Sequence, residues 1–225
     1  MKIKNVFAAI TVLSVIAGTD IMEAKDIKLP TPAFTGGMTM NEVVAKRRST
    51  REFDTTREVE KDKLGQILWT AVGVNRPDAE PTRFGVPANR SNPTALNRQE
   101  IHAYVFLKEG VYEYEPTSHT LKQVTEGDHR SLISGTADFR QDYVMDAPCS
   151  ILFVADLTNL PEDEGTWSMA LIDAGIACEN LNLACASLGL GTVPRASMDT
   201  EGISALLGFT KLQIPVINNP VGYPK

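Results

Sequence analysis

The chain has 225 residues, 43% apolar and 22% charged, which is the make-up of an ordinary globular domain and excludes disordered or collagen-like chains. Against 28 acidic side chains stand 22 basic ones, a net charge of −6; this argues against a nucleic-acid partner, because phosphate backbones are held by basic surfaces. Three cysteines are too few, and odd in number, for a disulfide scaffold.

Lys2 and Lys4 precede an apolar run of 12 residues, Val6 to Ala17. A membrane span needs about 20, so no stable anchor is expected. A basic start and a short apolar stretch read as a secretory signal. Residues 1–24 are therefore expected to be a signal peptide cleaved after Ala24, with a cut after Thr19 as the alternative, and the product to be periplasmic or secreted. The other reading of the segment is a buried N-terminal helix. Residues 25–225 remain as one domain, with no internal repeat.

The arm at 25–38 is rich in Pro and Gly and reads as extended. Thr39 to Arg48 begins with a capping residue and spaces Met40, Val43 and Val44 as a helix does. Lys61 to Val72 repeats the pattern, and Gly73 stops it. From Gly73 to Arg98 the periodicity is lost and Pro77, Pro81, Pro87 and Pro93 punctuate a long loop, a kind of segment that is usually functional or mobile. Glu100 to Lys108 alternates as a strand, Glu109-Gly110 turns, and Val111 to Tyr114 begins a second strand.

Asp128 to Asp146 reads as broken helix, and Cys149 to Ala155 as a central strand buried on both faces. Trp167 to Leu188 is the strongest helix. Its stripe of small residues (Ala170, Ala174, Ala177, Cys178, Ala184, Cys185) suits a core or subunit-interface helix. Thr200 to Leu207 is a short helix and Leu212 to Val216 a last strand. Strands and helices alternate without a regular βαβ period, so the expected class is α+β.

Three segments carry candidate chemistry. Arg47-Arg48-Ser49-Thr50-Arg51 places three guanidinium groups and two hydroxyls at a helix end in an acidic protein. Arginine's planar donor fork suits phosphate, although a solvated cap on the helix dipole reads equally from the residues. Pro93-Thr94-Ala95-Leu96-Asn97 offers small hydroxyl and amide groups for a flat polar ligand edge, or plain turn chemistry. Gly189 to Pro194 follows a helix instead of opening one, so it is not a dinucleotide fingerprint.

Other chemistries find less support. His102, His119 and His129 lack paired ligand spacing for zinc. Cys178 and Cys185 lie about 10 Å apart on one helix face, too far for a disulfide. No G-x-S-x-G elbow is present. The carboxylates at Glu162 to Glu164 read as a solvated loop.

In order along the chain, RRSTREF at 47–53, PTALNRQEIHAYV at 93–105, DAGIACENLNLACASLGLGTVP at 173–194 and PVGYPK at 220–225 resemble the FMN-dependent nitroreductase family. The W-x-A-x-G-x-N-R run at 69–76 is similar to the branch that includes the azoline-oxidising dehydrogenases. The resemblance implies a mixed sheet flanked by helices in an intertwined homodimer, with FMN at the subunit interface. It implies that Arg47 and Ser49 hold the FMN phosphate, with Arg48 contributing through its backbone, and that Arg51 lies near the pyrimidine edge. Pro93, Thr94, Ala95 and Asn97 would come from the partner subunit. Pro194, Arg195, Ala196 and Ser197 would run along the flavin face with a backbone N–H toward N5, and Lys225 would add a cation.

Two departures stand out. Ala196-Ser197 replaces the Glu-Gly pair of many members, which removes a carboxylate role. A basic C-terminal tail is represented only by Lys225. The implied activity is a ping-pong oxidation and reduction of small organic molecules, with no side chain marked as catalytic acid or base. The alternative is a non-catalytic flavin-binding module on the same fold.

Overall fold

The computed structural model describes residues 25–81, 85 and 89–225; the expected export signal, 1–24, lies outside the described residues. The arm contributes β1 (Ile27–Lys28). α1 (Met40–Lys46) starts on a full capping box, with Thr39 accepting from the Glu42 N–H and Glu42 reaching back to the Thr39 N–H. α2 (Lys61–Val72) ends at Gly73, whose φ is an ordinary −76°. The glycine is needed there for space: a Cβ would lie 2.5 Å from Trp69.

The aperiodic stretch beyond Gly73 holds a small antiparallel ribbon, β2 (Val74–Arg76) with β3 (Asn89–Arg90). β4 (Ile101–Phe106) and β5 (Gly110–Glu115) form the expected hairpin. β6 (Thr120–Glu126) then extends it as a strand that the sequence pattern did not reveal. The broken helix resolves into α3 (Arg130–Ser134) and a 3-10 turn at Asp142–Asp146.

After β7 (Cys149–Asp156) comes α4 (Glu164–Ser187), 24 residues or about 36 Å long. Asp163 is its N-cap, accepting from the Thr166 N–H at 2.7 Å; this carboxylate is therefore built into the helix start and is not a loose loop charge. β8 (Gly191–Thr192), α5 (Thr200–Leu207) and β9 (Gln213–Gly222) complete the chain.

The main sheet runs β1-β6-β5-β4-β7-β9-β8, with neighbouring strands antiparallel. A parallel bridge between Ser49 and Thr192 joins the 47–53 segment to it and makes the sheet mixed. Alternate residues of β4 and β7 face opposite sides. Ile101, Ala103, Val105, Ile151 and Phe153 pack under α2 and α4. Tyr104, Phe106, Leu152 and Val154 pack under α3 and α5 with Ile133, Met198 and Ile203. Covering both faces explains the unbroken apolar run of β7.

The small-residue stripe of α4 turns inward: Ala170, Ala174, Ala177, Cys178, Ala184 and Cys185 are buried in the protomer's own core. The outward face is instead large and apolar, with Ile172 56% and Met169 45% exposed. β9 is twice the expected length, because Pro215 and Pro220 hide a strand that nevertheless pairs along β7 from Cys149↔Val221 to Asp156↔Gln213. A register shift between Phe153 and Val154 accommodates the irregularity.

Candidate functional site

The basic segment leaves α1 at its C-cap, Arg47, whose N–H still donates to Val43. It then runs extended along the end of the sheet. The Thr50 N–H donates to the Thr192 carbonyl at 2.9 Å, the Asp54 N–H to Tyr223 at 2.9 Å and the Lys225 N–H to Glu52 at 3.1 Å. Phe53 is buried as the anchor. β8 can lie this close only because residue 191 is glycine: a Cβ there would meet the Thr50 methyl at 2.6 Å.

Two hollows flank the basic segment. Lys46, Arg47, Arg48, Thr50, Asn182 and Thr192 line a cavity of about 470 Å³. Arg51 and Lys225 line one of about 440 Å³ with Asp54, Tyr143 and Asp146. Ser49 is exposed beside them. Among the described residues, no hydrogen bond or ion pair engages the side chain of Arg47, Arg48 or Arg51. Every other arginine outside the 82–88 stretch, Arg57 excepted, is hydrogen-bonded within the fold, and Arg57 lies over the Tyr223 ring. Arg47 and Arg48 thus stand unpaired at the first cavity and Arg51 at the second, in a chain of net charge −6; unpaired guanidinium groups are the chemistry that recognises anions.

Below this cavity the polar residues bind one another. Asn219 donates to Asn182 at 2.9 Å and to Thr192 at 3.1 Å, and accepts from the Cys178 thiol at 3.1 Å. Burial pushes the Cys178 thiol up to about 12, so it stays a neutral donor. Asn182, Thr192 and Asn219 escaped the sequence reading; an Asn inside an apolar helix was the available signal.

The segment after β8 splits by side. Val193 and Arg195 are buried, whereas Pro194 and Ala196 are exposed. Arg195 is a structural hub. Its guanidinium donates to Gln141 Oε1 at 2.6 Å, to Asn218 Oδ1 and the Ile133 carbonyl at 2.9 Å, and to the Ser134 carbonyl at 3.2 Å. Burial lowers its pKa from the free value. Only the Arg195 backbone is left for the site, and it too is bridged to Asn218. The N–H groups of Ala196 and Ser197 have no protein acceptor among the described residues.

The 93–97 segment lies elsewhere. Ala95–Asn97 form a tight turn whose Ala95 N–H donates to Asp173 Oδ2 at 2.7 Å. Thr94 Oγ1 accepts from the Gln99 N–H at 2.9 Å, and Asn97 exchanges side-chain bonds with Asn89 and Gln99. Leu96, Asn97 and Gln99 all have φ between 53° and 57°. Such non-glycine residues cost about 1–3 kcal/mol each and persist only where surrounding contacts fix them. Pro93 and Leu96 are exposed at the tip. The turn sits on Asp173 and the cationic cavity on Asn182 and Ala186, 9 to 13 residues or about 14–20 Å along α4. Among the described residues, the cavity lined by Arg47 and Arg48 has no lining residue from the 93–97 segment.

Comparisons with known proteins bear on this arrangement. The family model described as the Nitroreductase family matches residues 44–223. A protein of Methanocaldococcus jannaschii named as a nitroreductase is 26% identical over 186 residues, 81% of this chain and 90% of its own length. A crystal structure from Ralstonia eutropha, titled as a nitroreductase, is 31% identical with a TM-score of 0.76, covering 89% of this chain and 90% of that one. The Escherichia coli microcin synthetase McbBCD complex contains a chain of like fold, TM-score 0.66 at 16% identity, covering 98% of this chain and 85% of that one.

Proposed function

We propose that this chain, which belongs to the nitroreductase family, is an FMN-dependent oxidoreductase acting on small organic molecules as a homodimer. The observation that carries the reading is the split of the site along α4. The cationic cavity and the Ala95–Asn97 turn, the two segments the resemblance assigns to FMN, stand apart in one protomer. A two-fold axis across the exposed apolar face of α4 joins the turn of one copy to the cavity of the other. Burying Met169, Leu171 and Ile172 there removes an apolar surface that a monomer would leave in water.

The residues present fit FMN. Arg47, Arg48 and Ser49 hold the phosphate, and Thr50 fixes their segment. Arg51 and Lys225 supply positive charge at the second hollow, where it favours a negatively charged ring edge. The free N–H groups of Ala196 and Ser197 are donors for a ring nitrogen. Pro93, Thr94, Ala95 and Asn97 close the site from the other copy. Bound flavin supplies hydride or electron transfer, and the protein supplies binding, orientation and electrostatics.

We read residues 1–24 as an export signal, giving a periplasmic or secreted enzyme. In that compartment the electron source is a reductant other than NAD(P)H, or the substrate itself in a dehydrogenase direction. The similarity to the azoline-oxidising branch favours the latter. One observation supports a second reading, a flavin-binding module without turnover: Ala196-Ser197 offers no carboxylate at the flavin face. Visible absorbance of the purified protein, titration with FMN, and turnover with quinones, nitroaromatics and chemical reductants test both. Bound FMN with turnover supports the enzyme, bound FMN without turnover the module, and no FMN binding at micromolar concentration defeats both.

A further inference from the structure

Beneath the Ala95–Asn97 turn lie two carboxyl groups that the flavin reading does not use. Asp173 of α4, 4% exposed, accepts the Ala95 N–H. Glu100, 5% exposed, sits where the turn enters β4, and its backbone carbonyl accepts from the Asp156 N–H at 2.8 Å. The Glu100 carboxyl interacts with that of Asp173. Its Oε2 has no hydrogen-bond donor among the described residues.

Two buried carboxylates side by side would repel and leave an oxygen unsatisfied. One proton between them supplies the missing donor and removes one charge. The charged groups facing the pair are Arg98, whose Nη1 donates to Thr166 on α4 at 3.2 Å, and Arg90 of β3. Burial is the largest influence on Glu100; it outweighs the residue's own backbone N–H and Arg98, which favour the charged form, and with Asp173 adding to it pushes the carboxyl up to about 7.

We propose that Glu100 and Asp173 share a single proton and act as positioning residues for the Thr94–Asn97 turn. With the proton in place, Asp173 is held toward the Ala95 N–H and the left-handed residues Leu96, Asn97 and Gln99 are kept in register. When the proton leaves, the two carboxylates separate and the turn loosens. FMN affinity therefore falls as pH rises through neutrality. The effect on FMN rests on the reading of this turn as half of the flavin site; the shared proton does not.

The test uses the full mature chain. NMR of carboxyl-labelled protein without FMN is expected to show one glutamate signal, absent in Glu100→Gln, titrating near neutrality. Ala95 amide exchange should quicken across the same range. The apparent Kd for FMN should rise about tenfold between pH 6 and pH 8, as the protonated fraction falls from about nine-tenths to about one-tenth. Glu100→Gln keeps a donor in place of the proton, so its Kd should be flat with pH. Both carboxyls ionised at pH 6 would overturn the proposal, and so would a Kd step that persists in Glu100→Gln. Should that variant fail to fold, the wild-type titration decides alone. A shared proton and a pH-dependent turn in a protein that binds no FMN would defeat the flavin reading and leave the pair standing.

Discussion

The Thr50 N–H donates to the Thr192 carbonyl at 2.9 Å, and Gly191 lies flat against the Thr50 side chain. This contact sets the Arg47–Arg51 segment on the sheet end beside the C-terminal part of α4. Gly191→Ala is expected to push the segment away, costing about 1–3 kcal/mol of stability and weakening FMN binding at the same time. Urea unfolding of the variant, with FMN titration, checks this.

Arg47 is unpaired among the described residues, so its removal should leave the fold unchanged and act on the ligand. Arg47→Ala is expected to lose one charge-assisted hydrogen bond to phosphate, about 1.5–3 kcal/mol, or roughly 10- to 150-fold in Kd for FMN. Riboflavin, which lacks the phosphate, should be bound equally by wild type and variant. A loss of equal size for both ligands would move Arg47 away from the phosphate.

Arg51 lines the second hollow with Lys225. Arg51→Ala should lower the two-electron potential of bound flavin on the order of 30 mV, about 1.4 kcal/mol for such a couple, because a fixed cation favours the negatively charged reduced form. Potentiometric titration reads this directly, and an unchanged potential would place Arg51 elsewhere.

Glu100 also makes stability depend on pH. Burial raises its folded pKa to about 7 from 4.5. The favourable contribution is complete below about pH 4.5 and is lost as pH rises through about 7, amounting to about 3 kcal/mol at most. Urea midpoints of wild type should therefore fall from pH 5 to pH 8. Those of Glu100→Gln should fall less, and a parallel decline in both would remove Glu100 as the cause.

Much of this architecture could be read directly from residue order. Lys61–Val72 and Thr200–Leu207 kept their expected bounds because apolar spacing and end residues agree there. β9 ran past its expected end because Pro215, Asn218 and Pro220 suppress a strand pattern that pairing with β7 overrides. β6 stayed hidden because Lys122, Gln123 and Thr125 read as polar loop.

The long helix was identified, and its stripe of small residues was read as belonging to the core or to a subunit interface; it packs in the protomer's own core, while the large apolar residues that point outward went unread. Within the site, the Arg47–Arg51 cluster stood out because it breaks the acidic composition. Arg195 looked like a ligand-facing residue and is a buried hub, since local sequence carries no sign of its bonds to Gln141 and Asn218. Asp173 and Glu100 are isolated carboxylates until the fold brings them together.

The central claim is that FMN sits between two copies of the chain, each giving one half of the site. Co-expression of two defective variants tests it. Arg47→Ala with Arg48→Ala removes the cationic half, and Ala95→Trp blocks the turn. Neither variant alone should bind FMN. If the halves come from different subunits, mixed dimers carry one intact site each, and random pairing gives bound FMN at about one site in four. Flavin absorbance at that level in the purified mixture is the predicted result. Full loss in the mixture, with wild type binding FMN normally, would place both halves in one protomer and contradict the account.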